Sequence, residues 1–255
     1  MAGIIAPTQK LRLLCLHGYT QNAEVFRTRL GSLRKALKSR VEFVFLDAPF
    51  LVGPAPLAGD SLSTSDADAN GDAPAQQGRS WWEWTDGGTV ERPSQARTYS
   101  GWEETSKPLI EAAMRQHAPV HGLLGFSQGA TAVALMVASQ PSEQEQRSHE
   151  QQLLFSIMIA GFVPKDPCYE GVLSRASSSS IPALFVQGLA DTAVTPERGQ
   201  DLLQKFNPAV ASSFTHPGGH MVPTATGLFK DTLLGFVDAA ALSQSSTAKE
   251  LHLAA

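Results

Sequence analysis

The chain has 255 residues, of which 42% are hydrophobic and 17% charged, and its formal net charge is −4 at pH 7. These values are ordinary for a globular protein and fit one large α/β domain. The negative charge argues against nucleic acid or an anionic membrane surface as a partner. Two cysteines make no disulfide framework, no signal peptide is evident, and no apolar run reaches the roughly 18 residues of a membrane span. We therefore expect a cytoplasmic protein without a membrane span.

Short apolar runs alternate with helical patterns along the chain. Most of these runs are apolar on both faces, as is typical of strands buried between two layers of helices. The predicted strands are residues 11–16, 41–46, 120–124, 155–160, 183–187 and 212–215. The alternation predicts an α/β fold with a mostly parallel central sheet of about six strands and helices on both faces.

Helix signals fall between the predicted strands. Ser100 and Glu103 match a capping box, which predicts that a helix begins after Ser100. Thr195 followed by Pro196 is a typical N-cap and first residue of a helix. Apolar residues at helical spacing predict two further helical segments, with Phe26, Leu30, Leu33 and Leu37 on one and Phe229, Leu233, Phe236 and Val237 on the other.

Residues 51–80 break this alternation. They are rich in Gly, Pro, Ala, Ser and Asp and have neither a helical nor a strand period. A connection of this length inside a domain is usually a functional lid or disordered, so we predict a flexible loop or lid insertion around residues 51–100. We expect a single domain over residues 1–255, with its core at about 11–240 and a tail at 243–255.

The sequence GFSQG at 125–129 matches the pattern G-x-S-x-G. It follows a predicted strand and opens a helix of small residues, which is the context that makes this pattern meaningful. A sharp turn there would hold Ser127 in a strained conformation, and the amides at the start of the helix would face any anion formed beside it. The motif therefore predicts a nucleophilic serine on an α/β-hydrolase fold.

A serine hydroxyl is a poor nucleophile until a base takes its proton. Among the seven histidines, His220 follows the last predicted strand in a Gly-rich loop, whereas His216 lies at the strand end and is expected to be structural. The order serine, acid, histidine is that of α/β-hydrolases. Asp191, after the fifth predicted strand, is the favoured acid, and Asp166, after the fourth, is the alternative.

The oxyanion hole of this fold takes one backbone amide from the residue after the nucleophile and one from a loop that follows an early strand. In this sequence those residues are Gln128 and Tyr19. His17 is predicted to shape the loop that carries Tyr19 through hydrogen bonds.

The four tryptophans have two interpretations, because they either fill a gap beneath the insertion or form an apolar wall for an acyl group. They are Trp81, Trp82, Trp84 and Trp102.

Several segments together resemble the eukaryotic family of serine hydrolases, which has fungal and animal members. They are HGYTQN at 17–22, LRKAL at 33–37, DAP at 47–49, WW at 81–82, LLGFSQGA at 123–130 and GGH at 218–220. The similarity runs from about residue 11 to 236. It implies a cytosolic esterase acting on acyl esters, with a catalytic triad at Ser127, Asp191 and His220. Because similar fungal members release polyketide acyl chains from carrier proteins, it leaves thioester cleavage open.

We therefore expect a two-step acyl transfer on esters with medium to long acyl chains. The reaction needs no cofactor, and no cluster of residues has the spacing of a zinc site. One alternative is an acyl-thioesterase that uses the same triad on acyl-CoA or acyl-carrier substrates. A second is a binding module that retains the fold without the activity, although all three triad residues are present.

Overall fold

Six parallel strands form the central sheet of the protein. The structure is a computed structural model that describes residues 10–52, 77–84, 98–140 and 153–253, and it describes side chains as far as residue 242. In chain order the strands are β1 (Leu11–Leu16), β2 (Val41–Leu46), β3 (Phe50–Val52), β4 (Gly78–Ser80), β5 (Glu83–Trp84), β6 (Tyr99–Ser100), β7 (Gly122–Phe126), β8 (Phe155–Ile159), β9 (Ala183–Gly188) and β10 (Ala211–His216). The sheet order is β10-β9-β8-β7-β1-β2, and β3–β4 and β5–β6 are separate antiparallel pairs.

All six predicted strands are present, and the fold class is confirmed. The largest difference is in β7, which begins two residues later than predicted and continues to Phe126. Its pairing with β1 starts where Leu13 lies opposite Gly122, and its pairing with β8 continues to Phe126, the residue before Ser127. The two short antiparallel pairs were not predicted, because two or three residues carry too little periodicity to be recognised as a strand.

Helices cover both faces of the sheet. They are α1 (Ala23–Arg29), α2 (Gly31–Leu37), α3 (Lys107–Gln116), α4 (Gln128–Ala138), α5 (Glu170–Ser174), α6 (Pro196–Leu203) and α7 (Gly227–Leu253). Apolar residues of α1, α2 and α7 pack on one face against the side chains of Leu13 and Cys15, and those of α3 to α6 pack on the other against Leu14 and Leu16. Every residue of α4 is buried, which makes it the central helix of its layer.

The helix starts were predicted with mixed success. Helix α6 has Thr195 as its N-cap and Pro196 as its first residue, as expected. The capping box at Ser100 was wrong, because Gly101 is the N-cap, with a φ of 83° that favours glycine. The chain then forms a π-helical turn over Trp102–Ser106, in which the Ser106 amide donates to the Gly101 carbonyl at 3.0 Å, before α3 begins.

The insertion predicted at 51–80 falls largely outside the described residues, since 53–76 are not among them. Its two ends are paired with each other, because Leu51 lies opposite Arg79 in the β3–β4 ladder. Residues 85–97, within the broader lid prediction, are also outside the described part. The segment set apart as a tail continues α7 as far as Leu253.

Candidate active site

The predicted triad and oxyanion residues follow the carboxyl ends of strands of the central sheet. After β1 the chain forms β2 on one side of β1 in the sheet, and it later returns to form β7 on the other side of β1. In open parallel sheets ligands bind where the chain direction diverges in this way, beyond the carboxyl ends of the strands. The loop with His17 and Tyr19 follows β1, and Ser127 follows β7.

Ser127 lies on a sharp turn between β7 and α4. Its φ of 53° and ψ of −117° are unusual for a residue with a side chain, and such strain is typical of functional turns. The turn needs both flanking glycines. A Cβ on Gly125 would lie 2.2 Å from the Gly129 carbonyl oxygen, and a Cβ on Gly129 would lie 2.2 Å from the Leu16 carbonyl oxygen. This close packing holds Ser127 at the carboxyl end of β7.

The structure brings Ser127, His220 and Asp191 into one hydrogen-bonded chain. The distance from His220 Nε2 to Ser127 Oγ is 2.9 Å, and that from His220 Nδ1 to Asp191 Oδ2 is 2.7 Å. With its Nδ1 proton on the Asp191 side, the imidazole has Nε2 free to accept the proton of Ser127. A serine, a base and an acid in this order have the geometry needed for nucleophilic acyl transfer.

The loops that carry Asp191 and His220 are joined to each other. The amide of Leu189 donates to the His216 carbonyl at 2.8 Å, and the amide of Ala190 donates to the Gly218 carbonyl at 3.1 Å. The Asp191 side chain is 1% exposed. Its Oδ1 atom accepts from the amides of Ala193 and Val194 at 2.9 and 2.8 Å, which leaves Oδ2 for His220. The orientation of the carboxylate is therefore fixed by the backbone.

The alternative candidates make other contacts. Asp166 accepts from the amide of Tyr99 at 2.8 Å through Oδ2 and from the amide of Cys168 at 3.0 Å through Oδ1. Its carboxylate therefore joins β6 to the turn at Pro167–Tyr169 rather than facing the imidazole. His216 is buried and its Nδ1 accepts from the amide of Gly218, at 3.2 Å, and burial lowers the pKa of His216. It shapes the loop before His220.

The two predicted oxyanion donors lie on adjacent segments. Gln128 is the first residue of α4, and the start of α4 packs against the end of β1, as the close approach of Gly129 to the carbonyls of Leu16 and His17 shows. Among the described residues, the amides of Tyr19 and Gln128 donate to no acceptor. The N-terminus of a helix also favours negative charge. An anion beside Ser127 would therefore meet N–H donors.

His17 holds the loop after β1 through both ring nitrogens, as expected from the sequence. Its Nε2 accepts from the amide of Ala48 at 3.0 Å, so Nδ1 carries the proton and donates to the Gly18 carbonyl, at 2.8 Å. The side chain is fully buried, and burial lowers the pKa of His17 to about 4. The ring is therefore neutral at physiological pH and acts as a structural donor and acceptor.

The tryptophans separate into two groups. Trp81, Trp82 and Trp102 have at most 1% of their surface exposed and belong to the core cluster that includes α3 and α4. In this conformation a ligand atom has no access to them, which favours the packing interpretation over a pocket wall for these three. Trp84 is half-buried, and its ring meets that of Tyr19 edge-on at 4.9 Å between centroids.

The Gln128 side chain has a role that sequence reasoning missed. Its Oε1 accepts from the amide of Trp81 at 2.9 Å, and its Nε2 donates to Ser80 Oγ at 3.0 Å. The motif drew attention only to the Gln128 backbone. No signal in the sequence indicates that residues 80–81 lie against the turn at Ser127, because the contact joins residues 47 positions apart.

The described residues contain no group of three or more His, Cys, Asp or Glu side chains that could hold a metal ion. Within the same residues, no helix combines the length and the apolar character that crossing a membrane requires.

Comparison with known proteins places this chain in a family. The family model described as "Serine hydrolase (FSH1)" matches residues 6–231. The chain belongs to the FSH1 serine hydrolase family. The resemblance inferred from sequence motifs is thus confirmed, and so is the expectation of a serine hydrolase.

Similar proteins with esterase names match most of the chain. Esterase OVCA2 of Danio rerio is 35% identical over 230 residues, which are 85% of this chain and 92% of that protein. Esterase OVCA2 of Homo sapiens is 34% identical over 226 residues, 87% of this chain and 93% of that protein. Among solved structures, the crystal structure of esterase PE8 has a TM-score of 0.60 at 20% identity and covers 92% of this chain and 95% of that one, which supports the α/β-hydrolase fold.

Proposed function

We propose that this serine hydrolase cleaves carboxylic esters through an acyl-enzyme on Ser127, with His220 as general base and Asp191 orienting His220. The observation that carries the proposal is the hydrogen-bonded chain of these three side chains, with distances of 2.9 and 2.7 Å. The esterase names of the relatives support the ester as the bond that is cleaved.

The first step forms the acyl-enzyme. His220 Nε2 takes the proton of Ser127 as Oγ attacks the carbonyl carbon, and the carbonyl oxygen becomes an oxyanion. The imidazolium then gives this proton to the leaving alkoxide oxygen as the carbon–oxygen bond breaks. Asp191 stabilises the imidazolium and keeps its proton on Nδ1. In the second step water attacks the acyl-enzyme by the same route, and Ser127 regains its proton.

The oxyanion is held, in this proposal, by the amides of Tyr19 and Gln128. Both lie on segments that meet at the end of β1, and neither donates to another acceptor in the described part of the chain. Donors aimed at the developing charge are usually the largest single contribution to catalysis by such enzymes. Losing one donor typically costs about 3 kcal/mol in the activation barrier.

The acyl group is proposed to contact Trp84. This ring is half-buried and lies against Tyr19, whose amide is the proposed oxyanion donor, so it is close to where an acyl carbonyl would bind. Burial also raises the pKa of Tyr19 to about 12, so its phenol is neutral and adds no charge beside an apolar chain. An aromatic wall at this point would favour medium to long acyl chains over acetyl.

The cytoplasmic location expected from the sequence remains part of the proposal. Cys15 and Cys168 are both free thiols in the structure, which is compatible with a reducing compartment.

The nucleophile is tested with a fluorophosphonate probe, which labels activated serines. We expect stoichiometric labelling of the wild type at Ser127 and none in Ser127→Ala. Ser139→Ala is the matched control, because Ser139 follows the far end of α4 and its Oγ has no hydrogen-bond partner among the described residues. It should be labelled like the wild type. Labelling of Ser127→Ala at another serine would show that the nucleophile lies elsewhere.

The bond that is cleaved is tested on the same enzyme. Alkyl esters graded by acyl length should be compared with acyl-CoA thioesters of the same acyl groups, with kcat/KM measured for each pair. We expect the esters to have the higher kcat/KM. Since the triad and the oxyanion donors would serve either leaving group, a much higher kcat/KM for the thioesters would instead identify an acyl-thioesterase.

A further inference from the structure

Trp81 is fixed by hydrogen bonds at three polar atoms, its indole N–H, its backbone amide and its carbonyl. Its indole Nε1 donates to the carbonyl of His17 at 2.8 Å, and its backbone amide donates to Gln128 Oε1 at 2.9 Å. Its carbonyl accepts from Ser106 Oγ, at the end of the π-helical turn. The side chain itself is fully buried.

Two of these bonds end on the two segments that carry the proposed oxyanion donors. His17 lies two residues before Tyr19 in the loop after β1, and Gln128 is the first residue of α4. The indole holds the first segment and the backbone amide holds the second. Trp81 therefore links the Tyr19 loop to the start of α4 through one residue. The His17 ring, 5.3 Å from the indole between centroids, packs beside the same link.

Arg79, in β4, strengthens this link. The amide of Thr20 donates to the Arg79 carbonyl at 3.0 Å, and the amide of Arg79 donates to the Gln21 carbonyl at 2.9 Å. The loop that carries Tyr19 is thus paired with the chain two residues before Trp81. The approach is close, since a Cβ on Gly78 would lie 2.8 Å from the Thr20 carbonyl oxygen.

We propose that Trp81 is a positioning residue that sets the distance and direction between the two oxyanion donors. The inference rests on the proposed function, because it assigns Tyr19 and Gln128 as those donors. An oxyanion hole works only if both N–H groups point at the position that the oxyanion reaches, and small displacements weaken it. Trp81 touches no substrate in this role. It acts by holding the His17 carbonyl and the Gln128 side chain, and through them the two amides.

The requirement for tryptophan distinguishes this role from simple packing. Phenylalanine could fill much of the same space but has no donor for the His17 carbonyl. Trp102 provides a matched comparison in the same core, because it is equally buried and its indole N–H has no partner among the described residues. Replacing each tryptophan by phenylalanine removes ring volume in both cases but removes a hydrogen bond only at Trp81.

The test compares Trp81→Phe with Trp102→Phe. We expect kcat to fall about tenfold to a hundredfold more in Trp81→Phe, which is part of the loss seen when an oxyanion donor is deleted. KM should change little in either variant. Binding of an alkylboronic acid, whose tetrahedral adduct places an oxygen in the hole, should weaken by a similar factor in Trp81→Phe alone. Titration with a fluorophosphonate corrects each kcat for the fraction of active enzyme.

A second variant breaks the same link from the other end. Gln128→Met keeps the backbone amide of residue 128 but removes the acceptor of the Trp81 amide. It should lower kcat and boronate affinity as Trp81→Phe does. Thr131→Val is its control, because Thr131 is buried in the same helix and its hydroxyl bonds the Phe162 backbone, away from the oxyanion donors. Thr131→Val should lower stability and leave kcat unchanged.

The outcomes separate this inference from the proposed function. If Ser127→Ala keeps its activity, the proposed function is wrong. If activity depends on Ser127 but folded Trp81→Phe or Gln128→Met matches its control in kcat and boronate affinity, Trp81 is a packing residue only. If Trp81→Phe does not fold, Gln128→Met decides the question.

Discussion

The two halves of the candidate site are held in different ways. In one half, Ser127, His220 and Asp191 contact each other directly through side chains that project from the loops after β7, β10 and β9. In the other half, two backbone amides are proposed to act. Trp81 and His17 set the positions of these amides through hydrogen bonds to the carbonyls of His17 and Gly18 and to the Gln128 side chain. Chemistry carried by side chains leaves a pattern in the sequence, whereas chemistry carried by the backbone depends on residues elsewhere in the chain.

The largest effect that we predict comes from the first half. His220→Ala should lower kcat by about 10⁶-fold, as Ser127→Ala should, because the members of a triad act as a unit. For the same reason the double variant should be no slower than either single one. The measurement is kcat on one ester for all three variants. His121→Ala is the control, since the buried His121 accepts from the Arg12 amide outside the site, and it should cost stability without changing kcat.

Additive losses in the double variant would show that Ser127 and His220 contribute separately, which a proton transfer between them does not permit.

Asp191→Asn should have the next largest effect, about 10²- to 10⁴-fold in kcat with the fold retained. The amides of Ala193 and Val194 require an oxygen at Oδ1, so the new NH₂ group would face His220. The imidazole would then accept at Nδ1 and carry its proton on Nε2, where it cannot take the proton of Ser127. The measurement is kcat together with circular dichroism to confirm the fold.

Asp166→Asn is the matched comparison. Its carboxylate accepts from the amides of Tyr99 and Cys168, so the substitution should lower the melting temperature and change kcat little. The reverse ranking of the two asparagine variants would mean that Asp166 is the acid.

The first half could be predicted from the sequence because each residue follows a strand and belongs to a distinctive residue type. Ser127 of the GFSQG motif, Asp191 and His220 come after β7, β9 and β10, and parallel strands bring their carboxyl ends to one edge. The strand limits were less certain, as the two-residue shift of β7 shows, because Val120 and Phe126 fit an apolar strand equally well. The sheet order was not predicted.

The second half could be predicted only in part. The position of Tyr19 in the chain suggested a donor, but nothing in the sequence showed that Trp81 bonds the loop that carries Tyr19. Trp81 and Trp82 are adjacent and chemically identical, yet one bonds the His17 carbonyl and the other packs edge-on against Trp102, at 5.9 Å between ring centroids. The π-helical turn at Trp102–Ser106, which places Ser106 against the Trp81 carbonyl, replaces a regular helix start that Ser100 and Glu103 had indicated.

The smallest effect that we predict distinguishes the tryptophans. Trp84→Ala should flatten the dependence of kcat/KM on acyl length, because the exposed part of this ring is the proposed apolar surface. Each buried methylene contributes roughly 0.8 kcal/mol at most, so two carbons give up to about tenfold in the wild type. The measurement is kcat/KM for a series of esters that differ only in acyl length. Stability should fall little, since Trp84 is only half-buried.

Trp82→Ala is the control for that experiment, and it should behave in the opposite way. Its ring is 1% exposed and packs against Tyr99 and Trp102, with centroid distances of 5.4 and 5.9 Å. Removing it should cost about 3–5 kcal/mol of stability and leave the shape of the acyl-length profile unchanged. A flattened profile in Trp82→Ala, with the profile of Trp84→Ala intact, would mean that the core tryptophans become accessible when substrate binds. The acyl group would then bind between β5 and the π-helical turn instead of beside Tyr19.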